Sequence, residues 1–204
     1  METLKEAFGV LLHPGQGTKR QMSIGEALKF YYSVMIIPLI LGIILSVAMG
    51  AATFAVSVII VYIISLPLVI LIDAGIYHII IGKLFRLYKG SYDRVVNAFT
   101  YAIMPAVFIY WIVLGLTGGS SALSTGGLAL GVSTAYGAVS IAGLILTLIF
   151  GVWSFIVMIV ALAGQLNMSR LKAFGTLILE GVVIGIIYLV IIAAMGAGLA
   201  AIGI

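Results

Sequence analysis

Asp73 and Glu180 are acidic side chains set inside long apolar runs, where a charged group at the centre of a membrane-crossing helix costs about 2.5 to 3.5 kcal/mol. A partner that offsets this cost is expected. At about 1.5 Å per helical residue, Asp73 lies roughly 15 Å from Lys83 and Glu180 roughly 12 Å from Lys172, so the two carboxyls can share one level. Face to face inside a bundle, they would lose water, repel each other and hold a proton or cation between them. The other arrangement leaves Asp73 near headgroups on a protruding helix and lets Glu180 hydrogen-bond a neighbouring helix. Tyr77 follows Asp73 by one helical turn and shares its side of the helix, whereas His78 falls on a different face, so no Asp-His relay is implied.

Little else in the chain has the residue types for catalysis. There is no cysteine, hence no disulfide, thiolate metal site or sulfur nucleophile. His78 has no second His or Cys at ligand spacing, and no GxxxxGK[ST], HExxH or GxSxG pattern occurs. The serines lack a base. We therefore expect no catalytic, cofactor-binding or metal residue, no cofactor, and no enzyme.

The elements that must position Asp73 and Glu180 follow from composition. Of 204 residues, 64% are apolar and 8% charged, which cannot cover a water-facing surface. Runs of roughly 20 apolar residues cross about 30 Å of hydrocarbon as helices, because lipid leaves backbone groups no other partner. A β-barrel would alternate apolar and polar residues, and these runs do not. The reading is an all-α, polytopic membrane protein: residues 1–22 form a cytoplasmic amphipathic segment, and residues 23–204 a bundle of five transmembrane helices, at about 27–50, 54–82, 97–116, 138–163 and 173–202. Pro38, Pro67 and Pro105 are candidate kinks.

Near the start, Leu4, Phe8, Leu11 and Leu12 fall on one helical face and Glu2, Lys5 and Glu6 mostly off it, the pattern of a helix lying on the bilayer. The segment from His13 to Gly17 breaks it. Lys19 and Arg20 suit lipid phosphates. Ser23 and Glu26 have capping-box spacing, which starts the first span. Residues 83–94 carry Lys83, Arg86, Lys89 and Arg94 among Tyr88, Tyr92 and other apolar side chains, an interfacial pattern. Residues 117–137 form an uncharged Gly/Ser-rich loop.

Basic residues near span ends are retained in the cytoplasm, and all ten Lys and Arg fall on the side holding the N-terminus, residues 83–94 and residues 165–172. The N-terminus is therefore predicted inside and the C-terminus outside, which demands an odd number of spans. There is no cleavable signal pattern in residues 1–21. Small-residue stripes, such as Gly42, Ser46 and Gly50 or Gly181 and Gly185, allow close helix packing within a bundle or between copies.

Gly90-Ser91-Tyr92 leading into Tyr101-Ala102-Ile103-Met104-Pro105, with Leu11-Leu12-His13-Pro14 before the first span, resembles the Ypt-interacting-protein (Yip) membrane family. The resemblance covers most of the chain and implies five spans with a cytoplasmic N-terminus. The Asp-Leu-Tyr-Gly-Pro motif of the eukaryotic branches linked to Rab-type GTPases is absent, so a GTPase partner is not carried over. High Ile, Val and Gly with no Cys suggest a prokaryotic member in the cell membrane.

Two functions are open at this point. One is a non-enzymatic membrane scaffold or organiser whose Lys83, Arg86, Lys89 and Arg94 meet anionic headgroups, a protein partner or a second copy, with no nucleic acid involved. The other is a small channel or transporter for a cation, proton or small solute that uses Asp73, Tyr77 and Glu180.

Overall fold

The structure, a computed structural model, describes residues 2–48, 61–117 and 137–201. Among them every regular element is a helix. Helix α1 is Glu2–Leu12 and α2 is Pro14–Gly17; α3 is Ile24–Ala48. Helix α4, Leu66–Tyr77, is bracketed by π-helical turns Val61–Ser65 and His78–Leu84. Helices α5, α6 and α7 are Tyr92–Thr117, Gly137–Gln165 and Arg170–Ala201. The expected turn near Ala52 and most of the expected 117–137 loop lie outside the described residues.

Four stretches among the described residues are long and apolar enough to cross a membrane: Ile24–Leu41, Ile63–Leu84, Leu148–Gln165 and Arg170–Ala193. Their outward faces carry Ile36, Ile40, Ile72, Ile79, Leu148, Val152 and the row from Ile186 to Ile192, all exposed. In water such a surface would be an aggregation liability; against lipid tails it is the expected solvent match. The chain is thus a helical multi-pass membrane protein.

Helix α5 is the centre of the bundle, packing most extensively on α6 and then on α3 and α4. Its Val95, Ala98, Tyr101 and Met104 recur at helical spacing and are buried against residues such as Tyr31, Met35, Ala161 and Leu162.

The ends of the helices show why the chain turns where it does. At the start of α3 the Ser23 N–H and hydroxyl donate to Glu26 Oε2 at 2.8 and 2.9 Å, and the Glu26 N–H returns to Ser23 Oγ at 3.4 Å, the expected capping box. Helix α6 ends at Gln165, and in the turn beyond it Asn167, with φ of 51°, lets the Met168 N–H close back on the Ala163 carbonyl at 3.0 Å. Asn is among the few side chains that enter this left-handed region readily.

The candidate kinks divide. Helices α3 and α5 continue through the buried Pro38 and Pro105. Pro67 differs, because the chain widens to a π-helical turn just before it. Proline lacks an N–H and strands the carbonyl four residues earlier, here that of Ile63. The Tyr32 hydroxyl of α3 donates to that carbonyl at 2.9 Å.

Helix α1 packs on the bundle through a face of its own, distinct from the Phe8 and Leu12 side expected to meet the bilayer. Ala7 and Val10 are fully buried, while Phe8 and Leu12 are exposed. The cause is close packing of α2 on α1: a Cβ on Gly17 would lie 2.5 Å from the Val10 nitrogen. This contact, with the polar contacts of Glu6, sets the rotation of α1, and side-chain hydrophobicity alone does not.

Candidate functional site

Three groups of polar side chains meet at or near the end of the bundle where α5 and α7 begin and α6 finishes. The first is a strap formed by residues 18–22. Gln165 Nε2 donates to the carbonyls of Thr18 at 2.7 Å and Arg20 at 2.8 Å, and Asn97 Nδ2 donates to that of Met22 at 2.8 Å. Tyr101 gives its hydroxyl toward Glu6 Oε1 at 3.1 Å and the Arg20 carbonyl at 3.3 Å, and Trp153 Nε1 holds the Leu11 carbonyl at 3.0 Å. Arg20 pairs with Glu6 at 2.9 Å, and this bond strengthens its hold on its proton. Arg20 is thus tied to Glu6 while its side chain stays largely exposed. These side chains tie the N-terminal arm to the α5–α6 pair.

Burial of amides at this place has a physical reason. An extended strap has backbone carbonyls without a helical partner, and buried carbonyls need donors. Asn97, Tyr101 and Gln165 provide them. Sequence reading passed over Asn97 and Gln165, although Asn97, Thr100 and Tyr101 form a polar face at i, i+3 and i+4 in the first turns of an apolar helix, which is the signal that could have marked them.

The second group is the loop between the π-turn and α5. Sequence reading left Tyr88 as an interfacial or a packing aromatic; the structure packs it, buried and stacked on Tyr77 with ring centroids 5.9 Å apart and its hydroxyl 2.6 Å from His78 Nδ1. Burial pushes that hydroxyl above the ordinary phenol range, so it keeps its proton. A Cβ on Gly82 would lie 2.9 Å from the Tyr88 ring, so Gly82 makes room for it. With Tyr88 folded inward, Lys83, Arg86 and Lys89 are left exposed. Arg86 occupies the left-handed region at φ 52°. Arg94 departs from this set: it is partly buried and its Nη1 reaches the Gln165 carbonyl at 3.5 Å, at the C-terminal end of α6 where a cation is favoured. Among the described residues the ion pair is that of Arg20 with Glu6, and neither Lys83, Arg86 nor Lys89 meets a carboxylate.

The third group lies deeper, between α4 and α7. Tyr77 donates its hydroxyl to Thr176 Oγ1 at 2.7 Å, because the Thr176 proton is committed to the Ala173 carbonyl at 2.8 Å. Glu180, one turn beyond Thr176, is buried. Asp73 is exposed on the flank of α4. Thr176 was not singled out from sequence, since a threonine in an apolar helix carries no signal until its neighbour across the contact is known.

No family model, curated protein or solved structure matches this chain.

Proposed function

We propose that this protein is a non-enzymatic membrane scaffold of the Yip-like type, which uses a rigid basic rim at the cytoplasmic end of its bundle to gather anionic lipid headgroups. The observation that carries this reading is the exposed, carboxylate-free trio Lys83, Arg86 and Lys89, mounted on a loop whose Tyr88 is anchored in the core. Arg170 and Lys172, also exposed, extend the rim at the start of α7. Each basic residue near an anionic surface contributes about 1 kcal/mol, so the trio supports roughly 3 kcal/mol of preference over a neutral bilayer.

In this reading α5 supplies a fifth crossing, the N-terminus is cytoplasmic, the C-terminus lies outside, and the membrane is the cell membrane of a prokaryote. What supports it is the gathering of the strap, the loop and the α6–α7 turn at one end, with the basic residues that carry the inside signal. The N-terminal arm adds a partly apolar surface, with Phe8 and Leu12 exposed toward the headgroup level.

The test is lipid retention by the purified protein in native mass spectrometry, with phosphatidylglycerol and phosphatidylcholine in equal supply. The expected result is selective retention of the anionic lipid, reduced at least about tenfold by Lys83→Gln, Arg86→Gln and Lys89→Gln together. Equal retention of both lipids, or an unchanged ratio in the triple variant, contradicts the reading.

A further inference from the structure

Residues 85–91, between the π-helical turn and α5, have no helix of their own, and Tyr88 is the buried residue among them. The loop is therefore anchored by one side chain. Three contacts hold Tyr88: its ring stacks on Tyr77, the missing Cβ of Gly82 makes room for that ring, and its hydroxyl lies 2.6 Å from His78 Nδ1. The first two are apolar and indifferent to pH. The third is not, because an imidazole changes its charge between about pH 5 and 8.

The direction of that bond follows from what Tyr88 needs. Its hydroxyl keeps its proton and, among the described residues, hydrogen-bonds to nothing else. A buried hydroxyl needs an acceptor, and Nδ1 is the one within reach, which assigns the proton of the neutral ring to Nε2. The ring itself is half-buried, with Tyr88 and Tyr92 centred 5.9 and 6.0 Å away, and Tyr92 is fixed by its own bond to the Leu71 carbonyl at 2.6 Å.

A second proton on the ring goes to Nδ1 and turns the acceptor into a donor. Two donors then face each other, and if the Tyr88 oxygen turns to accept, its own O–H is left buried without a partner. The surrounding elements offer no rescue. Lys83 on the π-turn is a like charge, and Tyr77 on α4 has its hydroxyl on Thr176. The carboxyls of the packed elements are those of Asp73 on α4, Asp93 on α5 and Glu180 on α7, where Lys172 is the nearby cation; none of the three forms an ion pair with His78. We propose that the His78–Tyr88 contact is a pH-sensitive latch, closed while the imidazole is neutral, that holds the 85–91 loop on the bundle and releases it when the imidazole is protonated. Release loosens the segment that carries Arg86 and Lys89. The latch belongs to the loop itself and stands whether or not those cations gather lipid.

The experiment is hydrogen exchange of the full chain in phosphatidylcholine nanodiscs, read as protection factors so that the intrinsic pH dependence of exchange is removed. The reporter is in place: the Phe85 and Leu87 N–H groups close on the Ile80 and Ile81 carbonyls, each at 2.9 Å, beside the anchored ring. Protection of residues 85–91 is expected to fall by about fivefold or more between about pH 8 and pH 5, with α5 and α6 unchanged. His78→Asn keeps an oxygen acceptor near the place of Nδ1 but takes no proton, and is expected to stay protected at both pH values. Tyr88→Phe keeps the stacked ring and loses the hydroxyl, so its protection is expected to be low and the same at both; this variant decides the matter if His78→Asn does not fold. Equal protection at the two pH values in the wild type, a pH step that survives in Tyr88→Phe or in a folded His78→Asn, or loss of protection throughout the bundle would each overturn the proposal.

Discussion

The Tyr32 hydroxyl satisfies the Ile63 carbonyl that Pro67 strands, so a side chain of α3 stands in for the missing helical donor of the neighbouring span. In lipid no water is at hand to do so, and a proline inside a span is tolerated where a neighbouring helix supplies the donor. Tyr32→Phe removes it and is expected to lower stability by about 1 kcal/mol, seen as a drop of about 2 to 4 °C in the detergent melting temperature. Pro67→Ala restores an N–H to the chain, and in that background Tyr32→Phe should cost almost nothing. Equal losses in the two backgrounds would show that the bond and the proline are unrelated.

The parts of this fold that are readable from sequence are those set by local rules. The Ser23–Glu26 capping box and the apolar runs depend on neighbours in the chain, so they can be read without knowing the packing. Tyr88 could not be placed that way. Its neighbours Leu87 and Lys89 give an interfacial pattern, and only the opening at Gly82 and the ring of Tyr77 explain why it turns inward. The same holds for Thr176 and Gln165, whose partners are 99 and 147 residues distant in sequence. Asp73, Tyr77 and Glu180 stand out in sequence as polar residues in apolar helices, whereas the pairing of Tyr77 with Thr176 is a property of the contact alone.

Gly17 controls the strap. A Cβ there would approach the Val10 nitrogen to 2.5 Å and the Gly9 carbonyl carbon to 2.7 Å, and backbone atoms inside a helix cannot retreat. Gly17→Ala is therefore expected to lift α2 from α1 and loosen the strap held by Gln165 and Asn97, at a cost of about 1 to 3 kcal/mol. Hydrogen exchange should quicken in residues 5–22 and stay unchanged in α5 and α6. Uniform quickening throughout the bundle would mean instead that the arm and the spans unfold as one unit.

Gly82 makes a parallel case with a different neighbour. A Cβ at this position would meet the Tyr88 ring at 2.9 Å, and that ring is pinned between Tyr77 and His78. Gly82→Ala is expected to destabilise by about 1 to 3 kcal/mol and to release Tyr88 outward. Tyr88→Ala vacates the same space, so adding it to Gly82→Ala should lose less than the separate effects predict. Strictly additive losses would place the strain elsewhere.

Arg86 separates the stability of the loop from its proposed use. Its φ of 52° lies in a region that costs a side-chain-bearing L-residue roughly 1 to 2 kcal/mol and glycine almost nothing. The π-helical turn ends at Leu84, and the Leu87 N–H closes on the Ile81 carbonyl at 2.9 Å, so the backbone must reverse at this residue whatever its side chain. Arg86→Gly should then leave the fold at least as stable, apart from the greater freedom that glycine gives the unfolded chain. The same change removes an exposed cation and should reduce retention of anionic lipid about fivefold, corresponding to about 1 kcal/mol per charge at the headgroup surface. Lys89→Gln offers the comparison: a similar loss of lipid with no relief of strain. If Arg86→Gly retains anionic lipid as the wild type does while Lys89→Gln does not, the left-handed arginine serves the turn and not the headgroup.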